Sequence, residues 1–255
     1  MRPATRAALK RWEPGVRDSV PADLSLSLVV PTFQESANIR EFLSALCRVL
    51  DGSLSSPYEV IVVDDDSPDR TWEIAAQMTA EHPQIRVVRR RGERGLASAV
   101  IHGWQAARGE ILGTINADFQ HPPEILVAML QETGRADLVV ASRYREGGGV
   151  GDWEVLRRVA SRGARLLGRL FLPHVFGRVS DPLSGCFLFH RSVIAGVRFR
   201  PSGYKTLIEV LARGRVGRIA ECPYEMQRRR RGRSKVDAMQ YWQYLAQLWR
   251  LRRQT

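Results

Sequence analysis

The sequence predicts an α/β fold with a mainly parallel central sheet. Short apolar runs alternate with helix-patterned segments from residue 26 onward. Each run is apolar enough to be a buried strand, and polar or acidic clusters follow the first, second and fourth of them. Strands alternating with helices build parallel sheets, and such sheets bind ligands outside the carboxyl ends of their strands.

In order, 26–30 is a strand ending at Pro31, 37–50 a helix and 59–63 a second strand. Residues 68–81 form a helix with a proline in its first turn and early acids, as the helix dipole favours. Then come a strand at 85–89, a helix at 96–108, a strand at 110–115, a helix at 122–132 and a strand at 137–141. After Tyr144 the pattern changes. Residues 146–149 (EGGG) read as a linker or a mobile lid. Residues 153–176 carry Arg158, Arg162, Arg165 and Arg169 at helical spacing. That pattern suits either a charged face over a core helix or a helix lying on anionic lipid. A last amphipathic helix spans 236–255 and carries Trp242, Leu245, Leu248 and Trp249. The expected organisation is a basic arm at 1–24, one domain at 25–235 including the 153–176 helix, and this terminal helix.

Net charge is +12, from 39 Lys and Arg against 27 Asp and Glu, and only Lys10, Lys205 and Lys235 are lysines. The guanidinium fork matches phosphate oxygens in pairs, so the excess points to phosphorylated substrates, an anionic membrane surface or nucleic acid. Cys47, Cys186 and Cys222 have no metal-ligand spacing and read as buried, reduced thiols of a cytosolic protein. No apolar run reaches the roughly 18 residues that span a bilayer, and no signal peptide is expected.

The chemistry-bearing clusters are PTFQE at 31–35, DDDSPD at 64–69 and NADFQH at 116–121. Ser67 and Asp69 read as helix caps. Three consecutive aspartates exceed what capping needs, because neighbouring like charges repel. On an extended chain, alternation would put Asn116, Asp118 and Gln120 on one side. Their oxygens suit Mg²⁺ or Mn²⁺, hard ions that also bind a diphosphate. None of the five histidines falls in a nucleophile–base pattern, and His121 reads as a loop residue bonded to backbone.

Seven stretches resemble the polyprenyl (dolichyl) phosphate mannosyltransferase group of the family 2 glycosyltransferases: VVPTFQESANI, VIVVDDDSPDRT, INADFQHPPE, VVASRYREGGGV, WEVLRRVASRGA, DPLSGCFLFHRSVI and RRRRGRSK. The resemblance covers about four-fifths of the chain, residues 26–235. It implies a GT-A (Rossmann-like) nucleotide-sugar-binding fold and inverting mannosyl transfer from GDP-mannose to a polyprenyl phosphate. The reaction is expected at the cytoplasmic membrane face with Mg²⁺ or Mn²⁺ as cofactor. Position by position, it implies that Pro31, Phe33, Glu35, Val63 and Asp65 hold base and ribose. Asn116, Ala117 and Asp118 meet the nucleotide sugar, and Asp118 and Gln120 hold the metal. Arg143 and Arg157 take the acceptor phosphate, while Arg229 and Lys235, after Gly232 and Ser234, close over the donor diphosphate. Innocent readings stand beside these: core packing for Phe33, an exposed helix arginine for Arg157, a basic patch for 228–231.

Such chemistry needs no general base, because a phosphate monoester is already ionised near neutral pH. Two departures from the family pattern stand out. Asn116 occupies the place of the first Asp of the usual D-x-D, so metal affinity should fall, and a second-sphere role or a weakly active relative are the alternatives. Many relatives carry C-terminal membrane spans, so a peripheral mode or a separate membrane-anchoring protein is expected here. UDP-glucose or another nucleotide sugar is the alternative donor. A nucleic-acid-binding role is disfavoured, because no recognition motif appears and the acidic clusters would repel phosphates.

Overall fold

The computed structural model describes residues 25–151, 155–199, 204–231 and 238–253. The basic arm, Gly232, Ser234 and Lys235 lie outside these residues.

Seven strands form one sheet in the order β3-β2-β1-β4-β6-β5-β7. They are β1 (Leu26–Thr32), β2 (Tyr58–Asp64), β3 (Ile85–Arg89), β4 (Ile111–Thr114), β5 (Leu138–Ser142), β6 (Phe187–His190) and β7 (Ile219–Pro223). The first four strands and the β5–β7 pair run parallel, while β6 is antiparallel to both β4 and β5. Successive residues alternate between the two faces, and both faces are apolar. In β1, Leu28 and Val30 enter one core and Val29 the other; in β2, Val60 and Val62 oppose Ile61 and Val63. Helices α1 (Ser36–Ser53), α2 (Thr71–Gln77) and α4 (Ile125–Glu132) cover the first face. Helices α3 (Leu96–Ala106), α6 (Pro173–Phe176), α7 (Thr206–Arg213) and α8 (Ala238–Arg252) cover the second. Gly103 sets the closeness of α3: a Cβ there would stand 2.5 Å from Val29.

Several elements differ from the sequence expectation. Helix α2 starts at Thr71 rather than 68, because Arg70 is left-handed (φ 58°) and breaks any earlier turn. A short 3-10 turn, Met78–Ala80, follows it. The expected helix at 153–176 is two helices, α5 (Val155–Phe171) and α6. Leu172 precedes Pro173, whose ring disfavours helical backbone before it. Phe176 then folds back onto Gly168, where a Cβ would meet its ring at 2.0 Å. The arginine stripe is uneven: Arg162 and Arg169 are exposed, whereas Arg165 lies over the Tyr144 ring at 3.9 Å. On α8, Tyr244, Leu248 and Leu251 are buried, whereas Trp242 and Trp249 face outward. The 146–149 segment is pinned: Gly149 N–H donates to Tyr224 O at 3.1 Å, and Met226 N–H donates to Gly149 O at 2.9 Å. All three cysteines are buried, and burial pushes the Cys47 and Cys222 thiols up to about 11.

The sheet register places the site. Thr32 pairs with Asp64, and Val29 with Thr114, so β1, β2 and β4 end at one edge. Antiparallel β6 pairs Phe187 with Thr114, so the chain enters β6, through Ser184 and Gly185, at that same edge.

Candidate active site at the carboxyl edge

Gln34, Asp66, Arg70 and Phe119 carry left-handed backbone, at φ 54–59°. All four sit in the loops at this edge, where held strain often accompanies function. The Gln34 N–H donates to Ser67 Oγ at 2.9 Å, tying the β1 exit to the β2 exit. Ser67 is thus a tie between loops rather than a helix cap. Asp69 does act at helix starts: its carboxylate accepts from the Ser36 N–H at 3.1 Å and the Thr71 N–H at 3.2 Å.

The three consecutive aspartates coexist because each has its own partners. Asp64 is fully buried and accepts from Thr32 Oγ1 at 2.7 Å and from the Ser67 N–H at 2.8 Å. Asp65 pairs with the buried Arg90 guanidinium and accepts the Gly95 N–H at 2.7 Å. Asp66 pairs with Arg89. Of the three, Asp65 lines the cavity described below, and Asp64 is a structural pin.

The β4 exit turns instead of extending. Phe119 takes φ 59° and plants its ring edge-on against Phe42, with centroids 5.2 Å apart. Gln120 N–H donates to Asp118 Oδ1 at 3.1 Å. Asn116, Asp118 and Gln120 therefore gather around a turn, not by strand alternation as expected. A Cβ on Gly185 would lie 2.9 Å from Asn116 Nδ2, so the bare glycine lets the entry to β6 approach this amide. His121 also departs from expectation: it is buried, stacked on Tyr224 at 4.9 Å, and among the described residues neither ring nitrogen has a hydrogen-bond partner. Burial, reinforced by Arg143, pushes it down to about 3, so the ring is neutral.

Two arginines organise the charges. Arg229 donates to Glu35 Oε1 at 2.9 Å and to Asp118 Oδ2 at 2.8 Å, bridging the β1 and β4 exits. Burial raises the Asp118 carboxyl above its usual range, although Arg229 opposes the shift. Arg143, at the β5 exit, grips Asp181 with two bonds of 2.7 Å, through Nε and Nη2. Burial works to raise Asp181, but the bonds and charge of Arg143 outweigh it and hold that carboxyl low.

One cavity of about 420 Å³ unites these groups. Pro31, Phe33, Glu35 and Asp65 line it from β1 and β2, and Asn116, Ala117, Asp118 and Gln120 from β4. Arg143 and Arg229 also line it. Val63 does not share that wall: its side chain is fully buried in the core beneath α3. The Arg157 backbone lies one turn before Ala160 and Ser161, which line the cavity from α5, but its side chain is outside the described residues. Sequence reasoning missed Arg94, Lys205 and Tyr241, which also line the cavity. For Lys205, which donates to Leu183 O at 2.9 Å, scarcity among so many arginines was the available signal.

A hard divalent cation fits the oxygen donors here. Asp118 offers a carboxylate that burial raises despite Arg229 and the Gln120 N–H, and Asn116 and Gln120 offer amide oxygens. Among the described residues no three His, Cys, Asp or Glu side chains cluster to hold a metal. Such an ion would therefore need oxygens from a bound diphosphate as well.

Fold and cavity define the class: an α/β protein of the GT-A kind, with its site at the carboxyl edge of the sheet. The chain belongs to glycosyl transferase family 2, whose sequence pattern matches residues 27–197. It is 38% identical over 229 residues to a dolichol-phosphate mannosyltransferase of Pyrococcus furiosus, covering 89% of this chain and 64% of that protein. It is 32% identical to the enzyme of that name from Saccharomyces cerevisiae, over 88% of this chain and 86% of the relative. In three dimensions it resembles glucosyl-3-phosphoglycerate synthase from Mycobacterium tuberculosis, solved with Mn²⁺, UDP-glucose and phosphoglyceric acid. The TM-score is 0.66 at 24% identity, over 90% of this chain and 80% of that one. That likeness bears on the fold.

Proposed function

We propose that the protein transfers mannose from GDP-mannose to a polyprenyl phosphate of the dolichyl or undecaprenyl kind, with inversion at the anomeric carbon. One observation carries this reading. A single cavity runs from the carboxylates at β1 and β2, past Asp118, to Arg143 and an apolar wall of Ala160, Ala164, Leu183 and Tyr241. A donor nucleotide suits the first end, and a phosphate bearing a hydrocarbon chain suits the second.

Glu35 and Asp65 accept hydrogen bonds from ribose hydroxyls beside Phe33. Arg143, held rigid by Asp181, and Arg157 draw the acceptor phosphate in. An oxygen of that phosphate attacks the sugar C1 as the bond from C1 to the diphosphate oxygen breaks; the nucleoside diphosphate leaves, and no proton need be removed. Arg229 exchanges its carboxylate partners for the donor diphosphate, and Lys235 joins it. Asp118, Gln120 and Asn116 would hold Mg²⁺ or Mn²⁺, which would supply charge stabilisation for the leaving diphosphate. The protein residues contribute positioning and electrostatics, which suffice where the nucleophile is already ionised.

The acceptor implies work at a membrane surface. No helix among the described residues is long and apolar enough to cross a membrane. Leu166 and Leu170, on the same helix as the exposed Arg162 and Arg169, and Trp242 on α8 are each at least 70% exposed. Apolar side chains among arginines suit anionic lipid, and recruitment by a separate anchoring protein is compatible with the same face.

The test is purified protein with a panel of labelled nucleotide sugars, polyprenyl phosphate and Mg²⁺ or Mn²⁺. Label from GDP-mannose should partition into the organic phase as an acid-labile lipid. Label from UDP-glucose alone would change the donor, and no labelled lipid from any donor would overturn the reading.

A further inference from the structure

The carboxylates at the nucleotide end of the cavity suit a ribose but do not distinguish one base from another. A different group at that end does. Arg94, in the loop between β3 and α3, lines the cavity with its guanidinium over the Phe33 ring, 4.7 Å from the ring centre. Resting on this donor-site reading, we infer that Arg94 selects a guanine base in the donor nucleotide.

The loop is built to hold that position. Arg90 is buried and pairs with Asp65, and it also donates to Ser98 Oγ at 3.0 Å and to Gly95 O at 3.2 Å. Asp65 in turn accepts the Gly95 N–H at 2.7 Å. Gly95 takes φ 139°, which side-chain-bearing residues rarely adopt. The residue before it is thereby fixed relative to the carboxylate that faces the ribose.

Stacking sets the chemistry. A guanidinium lying on an aromatic face keeps all its N–H groups in its own plane, directed away from the ring. That fork is complementary to an edge with two adjacent acceptors. Guanine presents such an edge, O6 with N7, and the bidentate arginine contact to it is the commonest specific one in base recognition. Uracil has no such pair, and adenine places a donor beside N7. Sheet order puts Arg94 on the correct side: β3, β2 and β1 lie together at one end of the sheet, and the acceptor-side groups come from β5 and α5.

Calorimetric titration in Mg²⁺ buffer tests this with GDP, IDP, 7-deaza-GDP and UDP against the wild type, Arg94→Lys and Arg94→Met. Arg94 is exposed, so neither substitution disturbs the core. The wild type should bind GDP and IDP alike, since both keep O6 and N7, and should bind 7-deaza-GDP and UDP about ten-fold or more weakly. Arg94→Met should erase that gap by weakening GDP and IDP only, and Arg94→Lys should keep a small part of it. Equal weakening of all four ligands by Arg94→Met would place the arginine on the diphosphate and overturn the inference. A wild type that binds 7-deaza-GDP as well as GDP, or prefers UDP, would overturn it too while leaving a nucleotide-sugar transferase standing. No binding of any of the four would overturn both the inference and the donor reading beneath it.

Discussion

Two arginines face the same cavity, and the protein holds them in opposite ways. Arg143 is buried and closed on one acid, Asp181, by two parallel bonds. Arg229 retains 20% side-chain exposure and divides its fork between Glu35 and Asp118, acids from two different loops. Enclosure of both partners makes the first pair expensive to break, whereas in the second only the acids are buried and Arg229 keeps an edge toward the cavity. The difference suggests a division of labour in which Arg143 is scaffold and charge, and Arg229 is an exchangeable strap across the donor end.

The largest expected effect lies with Asp181. Asp181→Ala leaves a buried arginine without its partner and should lower unfolding free energy by about 3–5 kcal/mol in urea titration. Adding Arg143→Met should restore much of that stability; no recovery would mean that Asp181 matters to the fold for another reason. Next, Asp118→Ala should reduce sugar transfer on the order of 100-fold or more, by analogy with loss of a principal charge-stabilising group. Its melting temperature should stay at or above that of the wild type, and unchanged turnover would remove Asp118 from the site. Asn116→Asp adds a ligand charge and should tighten Mn²⁺ binding roughly ten-fold, read by electron paramagnetic resonance without substrate; no tightening would place residue 116 outside the coordination shell. Arg229→Gln should cost less stability than Asp181→Ala, on the order of 1–3 kcal/mol, because Glu35 and Asp118 are buried acids but open onto the cavity, while weakening the donor diphosphate. A destabilisation matching that of Asp181→Ala would erase the contrast between the two arginines.

The smallest effect concerns acid. The Asp181 carboxyl is held below its ordinary value of 3.8, so its stabilisation is complete above that value and is lost as pH falls through the lower, folded one. Asp181→Asn should flatten this limb of the stability profile below about pH 4, measured by thermal melts; an unchanged limb would assign the acid sensitivity elsewhere.

Much of this was legible in the chain. Apolar runs such as those around Leu28 and Val62 announced strands buried on both faces, and the clusters after them announced the edge that binds. What was missed has physical causes. Antiparallel β6 is four residues long and carries no turn signal of the hairpin kind, so the approach of Gly185 to Asn116 was invisible. The left-handed turn at Phe119 depends on its ring finding Phe42, a tertiary contact, and it overrode the extended geometry expected for 116–120. Three aspartates in a row exceeded what capping needs, and Asp64 is taken up by Thr32 and Ser67, polar neighbours whose geometry only the fold supplies. Arg94 was one arginine among many until stacking on Phe33 set it apart.

The cysteines have a practical consequence. A thiol reacts as its thiolate, and burial keeps Cys47, Cys186 and Cys222 both hidden and protonated at neutral pH. The surface of the native molecule is therefore silent toward maleimides. A cysteine introduced by Trp242→Cys on the exposed apolar flank, or by Arg230→Cys beside the strap, becomes the fast-reacting one. Fluorophores or spin labels can then report lipid contact and strap movement separately, with every native sulfur left in place.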